Sequence, residues 1–123
     1  MVIVAVENVI KRYSYITEAI RQGLDYAEFY IGNRKQVIHI TEEIKTVCTV
    51  IEDVLKKENN ALIKQMLKGM LAGELDIFIM EKLPYSKNSY YDRKQAIIEK
   101  IYRGCIHKGL VSYNEILEEE IAV

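Results

Sequence analysis

Leu83-Pro84-Tyr85-Ser86-Lys87-Asn88-Ser89-Tyr90-Tyr91-Asp92-Arg93-Lys94-Gln95-Ala96-Ile97 is the stretch that decides how this chain folds and what it does. Proline cannot continue a helix and restricts the residue before it, so an element ends at Leu83-Pro84. Ser86 is then placed to accept hydrogen bonds from the first free amides of a new helix. That helix runs through Tyr90, Arg93, Ala96, Ile97, Lys100 and Ile101 to Arg103, ahead of Gly104. On the other side of the proline, Glu74 to Lys82 carries Leu75, Ile77, Phe78, Ile79 and Met80. Periodicity alone would allow a strand there. A length of about two turns between helical neighbours favours a short buried helix. A short apolar helix, a tight turn and a basic helix make the layout of a helix-turn-helix.

The first turn of a recognition helix enters the major groove of double-stranded DNA and carries short polar and basic side chains. Lys87, Asn88 and Ser89 fill that place, with Tyr91 also facing outward. Asparagine pairs bidentately with adenine, lysine with guanine, and a tyrosine ring can press on a thymine methyl. Tyr90 and Ile97, a heptad apart, are expected to face inward against Phe78 and Leu83. Arg93 and Lys94, a turn further on, suit phosphates, as does Lys100. The competing explanation is a solvated mixed-charge face, which any helical protein can show after a proline turn.

The formal net charge is −1, which by itself argues against a nucleic-acid binder. Its distribution argues the other way. Residues 81–108 hold seven basic side chains against Glu81, Asp92 and Glu99, a net of +4. Residues 109–123 hold Glu115, Glu118, Glu119 and Glu120 and no base, a net of −4. The first 57 residues balance at eight of each sign, so the asymmetry lies in the C-terminal half. A basic segment beside an acidic tail raises the expectation that the tail masks the DNA-binding surface.

Working back toward the N-terminus, Val6, Val9, Tyr13, Ile16, Ile20, Leu24, Ala27 and Ile31 fall in steps of three and four, one continuous helical stripe. Gly32-Asn33 supplies a C-cap and break. A second stripe at Val37, Ile40, Ile44, Val47, Ile51 and Val54 alternates three and four, the seam of a coiled coil or of an antiparallel helix pair. It reads equally as a hairpin within one chain and as a homodimer interface. Asn60 caps a helix through Ala61, Leu62, Met66, Leu67 and Met70. Ser112 with Glu115 opens a last acidic helix. The expected fold is therefore all-α. Long N-terminal helices over 1–57 serve dimerisation or partner binding, a helix-turn-helix module spans 58–111, and an acidic helix spans 112–123.

Cys48 and Cys105 stand apart with no His/Cys cluster beside them, and His39 and His107 have no partner at ligand spacing. The cysteines are expected to be small core residues, and no metal and no cofactor is expected. No apolar run reaches the ~20 residues of a bilayer span. Val2 to Val6 lacks the positive region of a signal peptide, which leaves the cytoplasm as the expected compartment. No nucleophile–base set, glycine-rich phosphate loop or HExxH occurs, so no enzyme and no small-molecule substrate is expected.

The quoted stretch resembles the recognition motif of phage-encoded late-gene regulators of the ArpU/RinA type, whose C-terminal part is similar to region 4 of sigma factors. Leu83, Tyr85, Ser86, Ser89, Tyr90, Tyr91, Arg93, Lys94 and Ala96 match in register. The resemblance covers about a quarter of the chain. Two features depart from it: the apolar Ile77-Phe78-Ile79-Met80 ahead of the turn, and the acidic tail. The resemblance implies a phage or prophage transcriptional regulator that activates packaging or lysis genes, with RNA polymerase as a further partner. The alternative is a helical adaptor or inhibitor that binds another protein through the Val37–Val54 seam without touching DNA.

Overall fold

The apolar stripe that opens the chain is helical only as far as Ile20. In the structure, a computed structural model that describes residues 3–109, α1 (Ile3–Lys11) and α2 (Tyr13–Arg21) meet at Arg12, whose backbone leaves the helical region. Val6, Val9 and Ile16 are buried, and Tyr13 and Ile20 pack partly against them. α2 stops at Gly23, where the Gly23 amide donates to the Ile20 carbonyl at 3.0 Å and the Leu24 amide donates to Ala19 at 2.9 Å. These bonds satisfy carbonyls that a continuing helix would have used.

The next segment of chain corrects the all-α expectation. β1 (Tyr26–Ile31) and β2 (Arg34–His39) form a two-stranded antiparallel sheet, so there are no long N-terminal helices. Ala27 and Phe29 are buried while Tyr26, Glu28 and Tyr30 are exposed, the period of two that a strand requires. The steps of three and four through Leu24, Ala27 and Ile31 were coincidental: Leu24 and Ile31 are both exposed. In register, Ala27 faces Ile38 and Phe29 faces Gln36 on the inner side; Glu28 faces Val37 and Tyr30 faces Lys35 on the outer side. Gly32-Asn33 is the two-residue loop of this hairpin, not a helix cap. Gly32 takes φ +60, and no other type of residue among those described has positive φ, the pattern of a II′ turn with glycine first. Phe29 anchors the hairpin on the helices, stacked on Tyr15 at 5.5 Å and capped by the Arg12 guanidinium 4.5 Å above its ring.

The second stripe is likewise divided. Val37 lies on the outer face of β2, 47% exposed, and Ile40 is buried in the connection. Only Ile44, Val47, Ile51 and Val54 are helical, on α3 (Glu42–Lys57), which Thr41 caps by accepting the Ile44 amide at 3.2 Å. Val47 and Ile51 are fully buried in the chain's own core, with Ile44 and Val54 at its margin. That core runs from Val6 to Cys105, so the segments on either side of residue 57 share it. Asn60 caps α4 (Ala61–Leu71) through the Leu62 and Ile63 amides. After α5 (Asp76–Glu81), the long α6 (Lys87–His107) threads the centre, burying Tyr90, Ile97, Ile98, Ile101, Tyr102 and Cys105. Cys48 and Cys105 are both buried as free thiols, and burial pushes each up to about 11. The acidic segment 112–123 and its Ser112–Glu115 cap lie outside the described residues.

α6 continues through Gly104 where the sequence suggested an end. α3 crosses there so closely that a Cβ on Gly104 would lie 2.6 Å from Val50 Cγ1. Val50 is buried and β-branched, so it has little room to turn away. Gly104→Ala should gain about 1 kcal/mol in helix propensity and lose about 1–3 kcal/mol to overpacking. The expected result is a net destabilisation of about 1 kcal/mol in urea unfolding, absent when Gly104→Ala is made in a Val50→Ala background and compared with Val50→Ala alone. Stabilisation by Gly104→Ala alone would show that the two helices separate freely.

Candidate nucleic-acid interface

α5 and α6 are joined by residues 82–86, and one polar cluster fixes their relation. Asp76, in the first turn of α5, accepts the Tyr90 hydroxyl at 2.6 Å and the Lys94 ammonium at 2.9 and 3.1 Å. Tyr90 is otherwise fully buried, and Asp76 and Lys94 are each about two-thirds or more covered. Burial pushes the Asp76 carboxyl up. The hydrogen bonds from Tyr90 and Lys94, with the charges of Lys94 and Lys11, outweigh it, so the net displacement is downward. Burial first, and then the bond to Asp76, pushes the Tyr90 phenol well up.

Ser86 caps α6, its hydroxyl accepting the Ser89 amide at 3.2 Å. Arg93 folds back along the helix, donating to the Ser89 hydroxyl and lying 4.2 Å above the Tyr85 ring. Tyr91 stands edge-on to Tyr90 at 5.1 Å and keeps an exposed side. The outward positions of the first two turns are therefore Lys87, Asn88, Tyr91 and the acidic Asp92, all exposed, with no ion pair or hydrogen bond tying down the side chain of Lys87 or Asn88 among the described residues. The cap, the inward Tyr90 and the outward polar end were legible from the motif.

The other expected DNA contacts are distributed differently. Ser89 is half-buried and engaged by Arg93, and Lys94 is held by Asp76. Lys100 pairs with Glu58 at 3.5 Å, about 18 Å along the helix axis from Asn88. Asp76 itself was missed, because nothing in the spacing of residues 76, 90 and 94 across a proline turn marks them as partners. The expectation that α5 is buried is also corrected: Ile79 faces the core, but Ile77 and Phe78 are 58% and 49% exposed and the preceding Leu75 is 64% exposed. Phe78 therefore does not cover Tyr90 from inside, although Leu83 is buried as expected.

Among the described residues, no three histidine, cysteine or carboxylate side chains come together to hold a metal, and no helix is long and apolar enough to cross a membrane. No protein-family model, no curated protein and no solved structure matches the chain.

Proposed function

We propose that this chain binds double-stranded DNA with α5 and α6 acting as a helix-turn-helix, and that it regulates transcription of phage or prophage late genes. The observation that carries this reading is the end of α6: Lys87, Asn88 and Tyr91 project into solvent from a capped helix whose orientation Asp76, Tyr90 and Lys94 lock. A rigid helix presenting an amide, an ammonium and an aromatic edge suits base edges in the major groove. The likeness of residues 83–97 to the recognition motif of late-gene regulators supports the same assignment. Two half-sites read by a homodimer, with RNA polymerase as the onward partner, complete the proposal.

The test begins with selection of a cognate duplex from a random library. Asn88→Ala should then cost about 1–3 kcal/mol on the selected site and little on random duplex, so the ratio of the two affinities falls. A ratio that stays at the wild-type value would reject this docking of α6.

A second reading rests on one specific observation. Leu75, Ile77 and Phe78 present apolar surface on α5, the helix that would cross the phosphate backbone in a helix-turn-helix. Such a surface suits a protein partner, and the adaptor reading takes over if no sequence is enriched in the selection.

A further inference from the structure

We propose that the cleft between the C-terminal halves of α3 and α6 is a second contact for duplex DNA, one that holds backbone phosphates and reads no sequence. This rests on the DNA-binding reading of α5 and α6 and adds a site to it. The cleft encloses about 410 Å³ and is lined by Lys57 from α3, by Lys100, Arg103 and His107 from α6, and by Lys108 just past its end. Residues 100, 103 and 107 recur at helical spacing, so they form one stripe along α6 facing α3. Its floor is rigid, because Gly104 lets Val50 pack directly on the α6 backbone.

Among the described residues, the charge in this cleft is not neutralised locally: four permanent cations face Asp53 and Glu58, and of the four Lys100 alone is paired, with Glu58. Lys57, Arg103 and Lys108 are exposed and make no ion pair among the described residues. Two helices end nearby, and their carbonyl ends offset roughly half a charge each. Lys57 and Lys108 sit where they complement those ends. Arg103 lies more than a turn before the end of α6, where the helix terminus does not account for it. A concave surface with surplus positive charge focuses the potential felt by an anion, and a guanidinium between two lysines suits phosphodiester oxygens.

The placement also separates two kinds of contact on one helix. Arg103 is about 22 Å from Asn88 along the axis, comparable to the width of a duplex. With the N-terminal end of α6 in the groove, its far end falls beside the sugar-phosphate wall, where contacts position the protein.

The experiment measures affinity of the full chain for the selected duplex and for a random duplex across a salt series. Arg103→Ala and Lys57→Ala should each weaken both complexes about five- to tenfold at 0.1 M salt and lower the salt slope by about 0.9. Their ratio of cognate to random affinity should stay at the wild-type value, unlike that of Asn88→Ala. Arg103→Lys should keep the slope. Glu58→Gln should tighten both complexes by freeing Lys100, an effect in the opposite direction that structural damage would not produce. Unchanged slopes in Arg103→Ala and Lys57→Ala, with Asn88→Ala still altering the ratio, would overturn the cleft contact and leave the groove reading intact. A wild-type chain that binds no duplex at low salt overturns both.

Discussion

Ile51→Asp is expected to abolish cooperative folding at 25 °C, whereas Val37→Asp should shift stability by no more than about 0.5 kcal/mol. Both positions lie on one uninterrupted apolar stripe in the sequence, yet Ile51 is fully buried and Val37 is 47% exposed on the outer face of the hairpin. An aspartate at position 51 must either ionise without a counter-charge in the core or take up a proton, and it also loses the packing of the isoleucine. The combined cost is several kcal/mol, a large part of the roughly 5–15 kcal/mol that holds a typical domain together. At position 37 the carboxylate keeps its water and stands across from Glu28, so the cost is mild like-charge repulsion and lost strand propensity. Far-UV circular dichroism and urea titration of both variants read the difference. A folded, monomeric Ile51→Asp protein would show that the stripe is a surface seam after all.

Removal of the Asp76 carboxylate is expected to cost about 2 kcal/mol and to loosen the seating of α5 on α6. Asp76→Ala strands the hydroxyl of a buried tyrosine and leaves the Lys94 ammonium without its partner. Lys94 can reach water, which keeps the cost below that of a fully buried ion pair. The pH dependence has a definite sign. The folded Asp76 carboxyl is displaced downward, so its contribution is fully present above the unfolded value near 4 and is lost as pH falls through the folded one. The folded Tyr90 phenol is displaced upward, so its contribution is present below about pH 10 and is lost as the solution becomes more alkaline. Urea unfolding of wild type and Asp76→Asn should therefore differ most between these limits and converge below about pH 4. A gap that persists unchanged to pH 2 would assign the effect to packing and not to the charge. Tyr90→Phe should share part of the loss, because it removes the donor and leaves the Asp76–Lys94 pair.

Both effects bear on function because recognition needs a held helix. Among the residues near the exposed end of α6, Lys94 is committed to the fold and Arg93 to Tyr85. On the proposed DNA-binding reading, contacts in the groove would therefore rest on Lys87, Asn88 and Tyr91, and the electrostatic share of binding would fall to the cleft of Lys57, Lys100, Arg103 and Lys108. An affinity built this way should be strongly salt-dependent even though the whole chain carries a net charge of −1.

Local chemistry by itself determined the elements whose signals are local. Ser86 after Pro84 meant a helix start, and Asn60 meant another, because a side-chain oxygen within three residues satisfies free amides wherever the chain sits. The inward placement of Tyr90 and Ile97 followed from a heptad spacing that α6 keeps. The hairpin was legible too, in Gly32-Asn33 between runs rich in aromatic and β-branched residues, but its period of two was overlaid by a chance spacing of three and four. Only the tertiary structure decided between them: Phe29 is buried on Tyr15 and Arg12, and a helix carrying Ala27 and Ile31 inward would have turned Phe29 out. The same holds for Gly104, a helix breaker in isolation, which stays helical because α3 needs its missing side chain. It holds for Lys94, which any linear reading would offer to a phosphate. Asp76 takes it instead, since a partner across a proline turn is set by how α5 seats on α6 and leaves no trace in residue spacing.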